Sequence, residues 1–230
     1  MKLNILALSY LFPNSSNPSY GVFVFNRLKA VQKKCGLYVI APLQWFPFME
    51  KMSRSNTFGK VKRVENMDGI DVFHPRFPVI PRYLKLIDAF TYLVAILPTV
   101  KKLRNKYGFN FDIVDVHWTY PDILSGYVVS KLFKKKFIVT VRGKEALYLD
   151  EKSFRKVLLD WTLRRADFVI TLSSELQELV CDIGVKQLQT KVILNGVDSN
   201  HFHYKEKTSA RRQLGVSNSQ KVILSVGSLI

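Results

Sequence analysis

Apolar residues along the chain fall into two alternating rhythms. Compact runs at Leu3–Leu8, Leu37–Ala41, Ile113–Val116, Phe137–Val141, Phe168–Thr171 and Val192–Leu194 are apolar on both faces. Such runs predict strands covered on both sides, as in a parallel sheet between helical layers. The intervening stretches predict helices with readable ends. Ser174 and Gln177 form an S-x-x-Q capping box, Glu175 lies in the first turn, and Gly184 supplies the stop. Ser153 precedes FRKVLLDWTLRR, where Phe154, Val157, Leu158 and Trp161 share one face and Lys156 can pair with Asp160.

One segment breaks the rhythm. KVKRVENMDGIDVFHPRF places Met67-Asp68-Gly69 between two β-rich arms, which predicts a hairpin inserted at one edge of the sheet. Tyr83, Leu86, Ile87, Phe90, Leu93, Leu97 and Val100 then follow helical spacing, with Leu84, Tyr92 and Ile96 adding apolar surface around the same helix. That helix is expected to be well buried, the alternative being a face turned to lipid. Towards the end, NGVDSNHFHYKEKTSARRQLGVSNSQ turns polar, with one short helix over Thr208–Leu214. The expected organisation is a domain over 1–199, a linker over 200–220 and, over 221–230, the first strand of a second α/β domain.

At 230 residues and 47% apolar, the chain can bury a sizeable core. Lys and Arg outnumber Asp and Glu by 35 to 18, so a net charge of +17 calls for some anionic ligand or surface. Basic runs such as KLFKKKF carry no nucleic-acid motif, and no nucleic-acid partner is expected. Cys35 and Cys181 stand far apart and read as small core residues of a reducing compartment. The opening MKLNILALSYLFP lacks a small-x-small cleavage pattern and reads as a buried strand, and Ala89–Val100, interrupted by Pro98, is too short to span a bilayer.

In an open parallel sheet, ligands bind beyond the carboxyl ends of the strands. Gly21 opens a helix after the long loop that follows the first strand, where free N–H groups and the helix dipole favour a phosphate, although taken alone it reads more readily as an ordinary turn glycine. The strand ending in VDVHWTYPD delivers His117, Trp118 and Tyr120, whose flat faces suit sugar rings or bases. A lone histidine beside a tryptophan is more often a satisfied core residue, until other residues join it. The strand ending in VTVRGKE brings Arg142, Gly143 and Lys144 to the same rim, a phosphate seat in which Arg supplies a fork and Lys a point charge. No G-x-G-x-x-G or G-x-x-x-x-G-K-[ST] loop occurs, which disfavours nicotinamide and ATP chemistry. His201 and His203 form the one close histidine pair and lie in the polar segment, where a solvated turn outweighs a metal site.

Taken together, HWTYPDILSGYVVSKLFKKKFIVTVRGKE, ADFVITLSSELQELVCDIGV, KVILNGVDSNHF and RRQLGVSNSQKVILSVGSLI resemble glycosyltransferase family 4 in order and spacing, and GVFVFNRLKAVQKKCGLYVIAP resembles that family's first helix and second strand. The resemblance implies the N-terminal half of a GT-B fold, a Rossmann-like parallel sheet with helices on both faces. It also implies a hexosyltransferase that moves a sugar from a nucleotide sugar to a glycan or lipid-linked acceptor of a surface polysaccharide, with retention and with neither metal nor cofactor. This half would receive the acceptor. Gly21, Arg142, Gly143 and Lys144 would then bind donor or acceptor phosphates, His117, Trp118 and Tyr120 would orient the acceptor, and Asn195 and Gly196 would border the interdomain cleft. No residue here is assigned as catalytic. The family's glutamate pair, eight positions apart, has no counterpart, and Arg142-Gly143 stands where many relatives carry His-Gly. The expectation is a fragment inactive by itself, cytoplasmic, with peripheral attachment to an anionic membrane face. A non-catalytic acceptor-binding module working with a separate donor-binding chain is the alternative.

Overall fold

The computed structural model describes residues 2–46, 61–80, 87–143, 153–200 and 202–226. Tyr83, Leu84, Leu86, Lys144 and His201 lie outside them. The chain divides into two compact units, Met1–Asn195 and Gly196–Ile230.

In the first unit the strands are β1 (Asn4–Leu8), β2 (Gly36–Ile40), β3 (Leu43–Trp45), β4 (Val64–Met67), β5 (Ile70–Phe73), β6 (Arg76–Pro78), β7 (Ile113–Val116), β8 (Lys136–Val141), β9 (Phe168–Thr171) and β10 (Thr190–Val192). The helices are α1 (Val22–Gln32), α2 (Asp88–Tyr107), α3 (Asp122–Phe133), α4 (Phe154–Leu163) and α5 (Ser174–Asp182). Eight strands form one sheet in the order β10-β9-β8-β7-β1-β2-β5-β4, parallel throughout except where β4 meets β5. The chain therefore winds outward from β1 through β2 and β5, then returns to β7 and winds the other way. The crevice at this reversal, between the carboxyl ends of β1 and β7, is where such a sheet receives ligands.

The alternation within β1 explains why it occupies the centre. Leu6 and Leu8 join the larger cluster with Tyr92 and Ile96 of α2, while Ile5 and Ala7 pack with Val24 and Leu28 of α1 on the opposite face. With helices on both faces, neither side of the strand reaches water, and each large aliphatic residue so buried contributes roughly 1.5–3 kcal/mol. At the far edge, β4 and β5 are the expected hairpin. Asp68 (φ 48°) and Gly69 (φ 84°) make its two-residue turn, whose twist matches that of the flanking strands.

Several local expectations are corrected. The last strand is β10, which precedes the expected Val192–Leu194, because the ladder with β9 ends at Val192 opposite Thr171 and leaves Leu194 exposed. Helix α2 buries Tyr92, Ile96, Val100 and Leu103 and exposes Phe90 and Val94, with its cap residue Ile87 exposed as well. Apolar residues all round that helix left its inward face undecided, and the Phe77–Tyr92 ring contact, 5.2 Å between centroids, fixes it. Helix α4 buries Leu159, Thr162 and Leu163, leaving Phe154, Val157 and Trp161 on the outer side, with Trp161 edge-on to Tyr127 of α3 at 4.9 Å. The cap of α5 is Ser173, whose hydroxyl accepts from Leu176 N–H, so Ser174 is already helical and Gln177 bonds Thr190 instead. The Ser153 cap and the Lys156–Asp160 pair occur as expected.

The second unit carries one helix among its described residues, α6 (Lys207–Gln213), capped by the Glu206 carboxylate. Lys221–Val226, the predicted strand, has no ladder, since no described segment pairs with it.

Candidate functional site

Three strand ends converge beside the reversal point. From β1 the chain runs through the loop of residues 9–21, which is pinned at several places. Ser9 Oγ donates to Leu11 O at 2.7 Å, Asn14 Oδ1 accepts from the N–H groups of Ser16 and Asn17, and Ser15 N–H and hydroxyl both donate to Glu65 of β4. The loop closes on Gly21, the cap residue of α1, at φ 70°. A side chain there would collide with the Leu11 carbonyl. The chain's own packing therefore already requires a glycine at this position, whatever ligand the helix start receives.

From β7 comes His117, which is 1% exposed. Its Nε2 lies 3.0 Å from Asp115 Oδ2, and its Nδ1 lies 3.0 Å from Arg142 Nη2 at the end of β8. A guanidinium can only donate, so Nδ1 is the bare nitrogen and the ring proton sits on Nε2, facing the carboxylate. Arg142 Nε also donates to the His117 carbonyl at 3.0 Å, Nη1 donates to Asn195 Oδ1 at 3.2 Å, and the guanidinium carbon lies 5.2 Å from the centre of the Phe23 ring on α1. Arg142 is thus held from β7, α1 and the segment after β10 at once. Burial pushes the Asp115 carboxyl up, but His117, Arg27 and Arg142 outweigh it and leave the group below its ordinary range.

The expectation that His117 orients a sugar is therefore corrected: the ring is enclosed, and what it orients is Arg142. Trp118 and Tyr120 are half-buried, the latter with the Arg155 guanidinium 5.3 Å from its ring centre. Gly143 follows Arg142 at φ 114°. Asn195 closes the first unit and bonds Arg142, whereas Gly196 opens the second unit. Asp115 and Arg27 escaped the sequence reading. The available signal was a carboxylate inside the buried run IVDV, a position where an acid persists only with partners. Among the described residues, no three His, Cys, Asp or Glu side chains converge as a metal ion would need, and no helix is long and apolar enough to cross a membrane.

A doubly wound sheet with a fixed arginine at its carboxyl edge, beside the point where the winding reverses, defines an α/β protein of the class that receives ligands along that edge. Its family can be stated. Residues 51–201 match the model of Glycosyltransferase Family 4, and the chain belongs to that family. It is 23% identical over 239 aligned positions to TuaC, a Bacillus subtilis glycosyltransferase named for teichuronic acid biosynthesis, covering 99% of this chain and 59% of the relative. It is 26% identical over 177 positions to the uncharacterized glycosyltransferase MJ1607 of Methanocaldococcus jannaschii, covering 72% and 43%. The chain thus spans 59% or less of the length of these relatives. Among solved structures, it resembles Anabaena Alr3699/HepE in complex with UDP-glucose (TM-score 0.55, 16% identity, 94% of this chain and 50% of that one). It also resembles the catalytic domain of starch synthase IV from Arabidopsis thaliana bound to ADP and acarbose (TM-score 0.57, 15% identity, 96% and 61%). These likenesses establish the fold, a Rossmann-like half of the GT-B type.

Proposed function

We propose that this chain serves a retaining glycosyltransferase that moves a hexosyl group from a nucleotide diphosphate sugar to a glycan or lipid-linked acceptor of a surface polysaccharide, with Met1–Asn195 receiving the acceptor. The observation that carries the reading is Arg142, a cation fixed by His117 and Asn195 at the carboxyl edge of the sheet in a chain of glycosyltransferase family 4. Support for the substrate class comes from the UDP-glucose complex of the Anabaena protein, and support for the polymer from the name of the Bacillus relative.

In this reading the bond from the anomeric carbon to the diphosphate oxygen breaks as the acceptor hydroxyl oxygen bonds to the same face of that carbon, and the hydroxyl proton passes to the departing diphosphate. Arg142, with Lys144, stabilises the negative charge that grows on phosphate, and the N–H groups after Gly21 add to it. Trp118 and Tyr120 offer flat faces to the acceptor sugar. The reading requires neither a metal nor a cofactor.

The outer side of α2, with Phe90 and Val94 exposed and Lys101, Lys102, Arg104 and Lys106 towards its C-terminal end, supports peripheral attachment to an anionic lipid surface on the cytoplasmic side, each well-placed cation adding about 1 kcal/mol. The transfer reading is tested in the full-length enzyme. Arg142→Ala is expected to lower transfer from a UDP-sugar by roughly one to three orders of magnitude, the cost of losing a charge-assisted contact to developing charge. Unchanged turnover would return Arg142 to a purely structural role.

A further inference from the structure

We propose that Asn195 is a self-modifying site: the Asn195-Gly196 pair passes through a succinimide to aspartate or isoaspartate, promoted by the Arg142 guanidinium, whose charge the new carboxylate then offsets.

This is the one Asn-Gly pair in the 230-residue sequence. Asparagine is chemically labile there because the nitrogen of its own following peptide bond can attack its side-chain carbonyl carbon, and glycine neither hinders that approach nor stiffens the backbone. Asn195 is exposed, so water reaches it, and residues 193–198 belong to neither helix nor strand. The structure adds a promoter. Arg142 Nη1 donates to Asn195 Oδ1 at 3.2 Å, and this donor is held from behind, by Nε on the His117 carbonyl and Nη2 on His117 Nδ1, both at 3.0 Å. Attack by Gly196 N on Asn195 Cγ forms a carbon–nitrogen bond and moves negative charge onto Oδ1, the atom the guanidinium faces. A cation already positioned at that oxygen lowers the barrier. The Cγ–Nδ2 bond then breaks, and ammonia leaves with the proton that Gly196 N gives up through solvent. One water opens the ring at either carbonyl, without an oxidant or a reductant. Both products carry a carboxylate where a neutral amide stood.

Two other asparagines before serine supply contrasts. Asn14 is 0% exposed, and its Oδ1 accepts from the N–H groups of Ser16 at 3.0 Å and Asn17 at 2.9 Å rather than from a cation. Asn218 is exposed and provides a reference rate. An effect on transfer rests on the reading of Arg142 given above, since a carboxylate at position 195 would compete with phosphate for the guanidinium.

The test ages the 230-residue chain at physiological temperature and pH. Peptide mass spectrometry reads conversion of amide to acid at positions 14, 195 and 218, and labelling by an isoaspartyl methyltransferase reads the isoaspartate. Asn195 is expected to convert faster than Asn218 while Asn14 stays intact. Arg142→Ala should slow Asn195 by roughly five- to tenfold with Asn218 unchanged, less than the about 10²–10³-fold of an enclosed oxyanion donor because solvent screens this one. Arg142→Gln, with the same expected slowing, is the second variant should the alanine disturb the fold. An intact Asn195, or equal rates with and without the Arg142 guanidinium, overturns the proposal. In the transfer assay Asn195→Asp should lower turnover by about threefold or more. Full turnover in Asn195→Asp while Arg142→Ala loses activity overturns the inhibitory effect. Full turnover in both overturns the transfer reading alone, and the mass spectra still decide the modification.

Discussion

Replacing His117 by Ala removes a ring that is 1% exposed and that separates a carboxylate from a guanidinium. Two contacts are lost at once, Nε2 to Asp115 Oδ2 at 3.0 Å and Nδ1 to Arg142 Nη2 at 3.0 Å. Arg142 keeps its bond to the backbone carbonyl at position 117 and its bond to Asn195, so it is loosened rather than released. Asp115 is left buried, with only the longer-range attraction of Arg27 and Arg142. Leaving a buried polar group without its partner costs about 1–3 kcal/mol and more for a charged one, and the remaining cations keep the expected loss to about 3 kcal/mol. For a chain of this length that corresponds to roughly 6–12 °C in melting temperature. Urea unfolding followed by tryptophan fluorescence measures the loss directly. A cycle with Asp115→Asn supplies the sharper reading, because removing the carboxylate also removes the reason the histidine matters. The double variant should cost about 1–3 kcal/mol less than the sum of the singles. Additivity within about 0.5 kcal/mol would refute the relay from Asp115 through His117 to Arg142.

Further expectations concern caps, backbone and pH. Ser173→Ala should destabilise by about 1 kcal/mol while Ser174→Ala stays near neutral, since only the Ser173 hydroxyl caps α5; the two melting temperatures decide between them. Gly21→Ala should cost on the order of 2 kcal/mol, from the left-handed backbone and the Leu11 carbonyl, and an unchanged melting temperature would show that the loop yields freely. His74 is held below its ordinary value chiefly by burial, so the unfolded chain takes up its proton first. Its stabilising contribution is complete above about pH 6.5 and is lost as pH falls through the folded value; a urea-midpoint profile should flatten in that limb in His74→Gln. Asp115, Glu65 and Asp167, all lowered by partners despite burial, add a second loss as pH falls below about 4.

What the sequence determined by itself was whatever depends on neighbours along the chain. The apolar runs located strands because a strand covered on both faces must be apolar throughout, and the Asp68-Gly69 pair located the hairpin because few residues tolerate its turn angles. Gly21 and Arg142 were found at helix start and strand end for the same reason, their position relative to local elements. Tertiary structure decided what depends on residues far apart. Which side of α2 and α4 faces inward was undetermined by their spacing, since both helices carry apolar residues on more than one side, and the choice came from Phe77 for α2 and, for α4, from the core cluster that Leu159 and Leu163 join. Lys221–Val226 has the composition of a strand, yet a strand is a property of a pair, and no described segment supplies its ladder. The role of His117 reversed for the same physical reason. The sequence leaves a histidine beside a tryptophan open between a core residue and a binding residue, and the choice is made by Arg142 of the segment after β8, which folding brings onto its ring and which Asn195 holds from beyond β10.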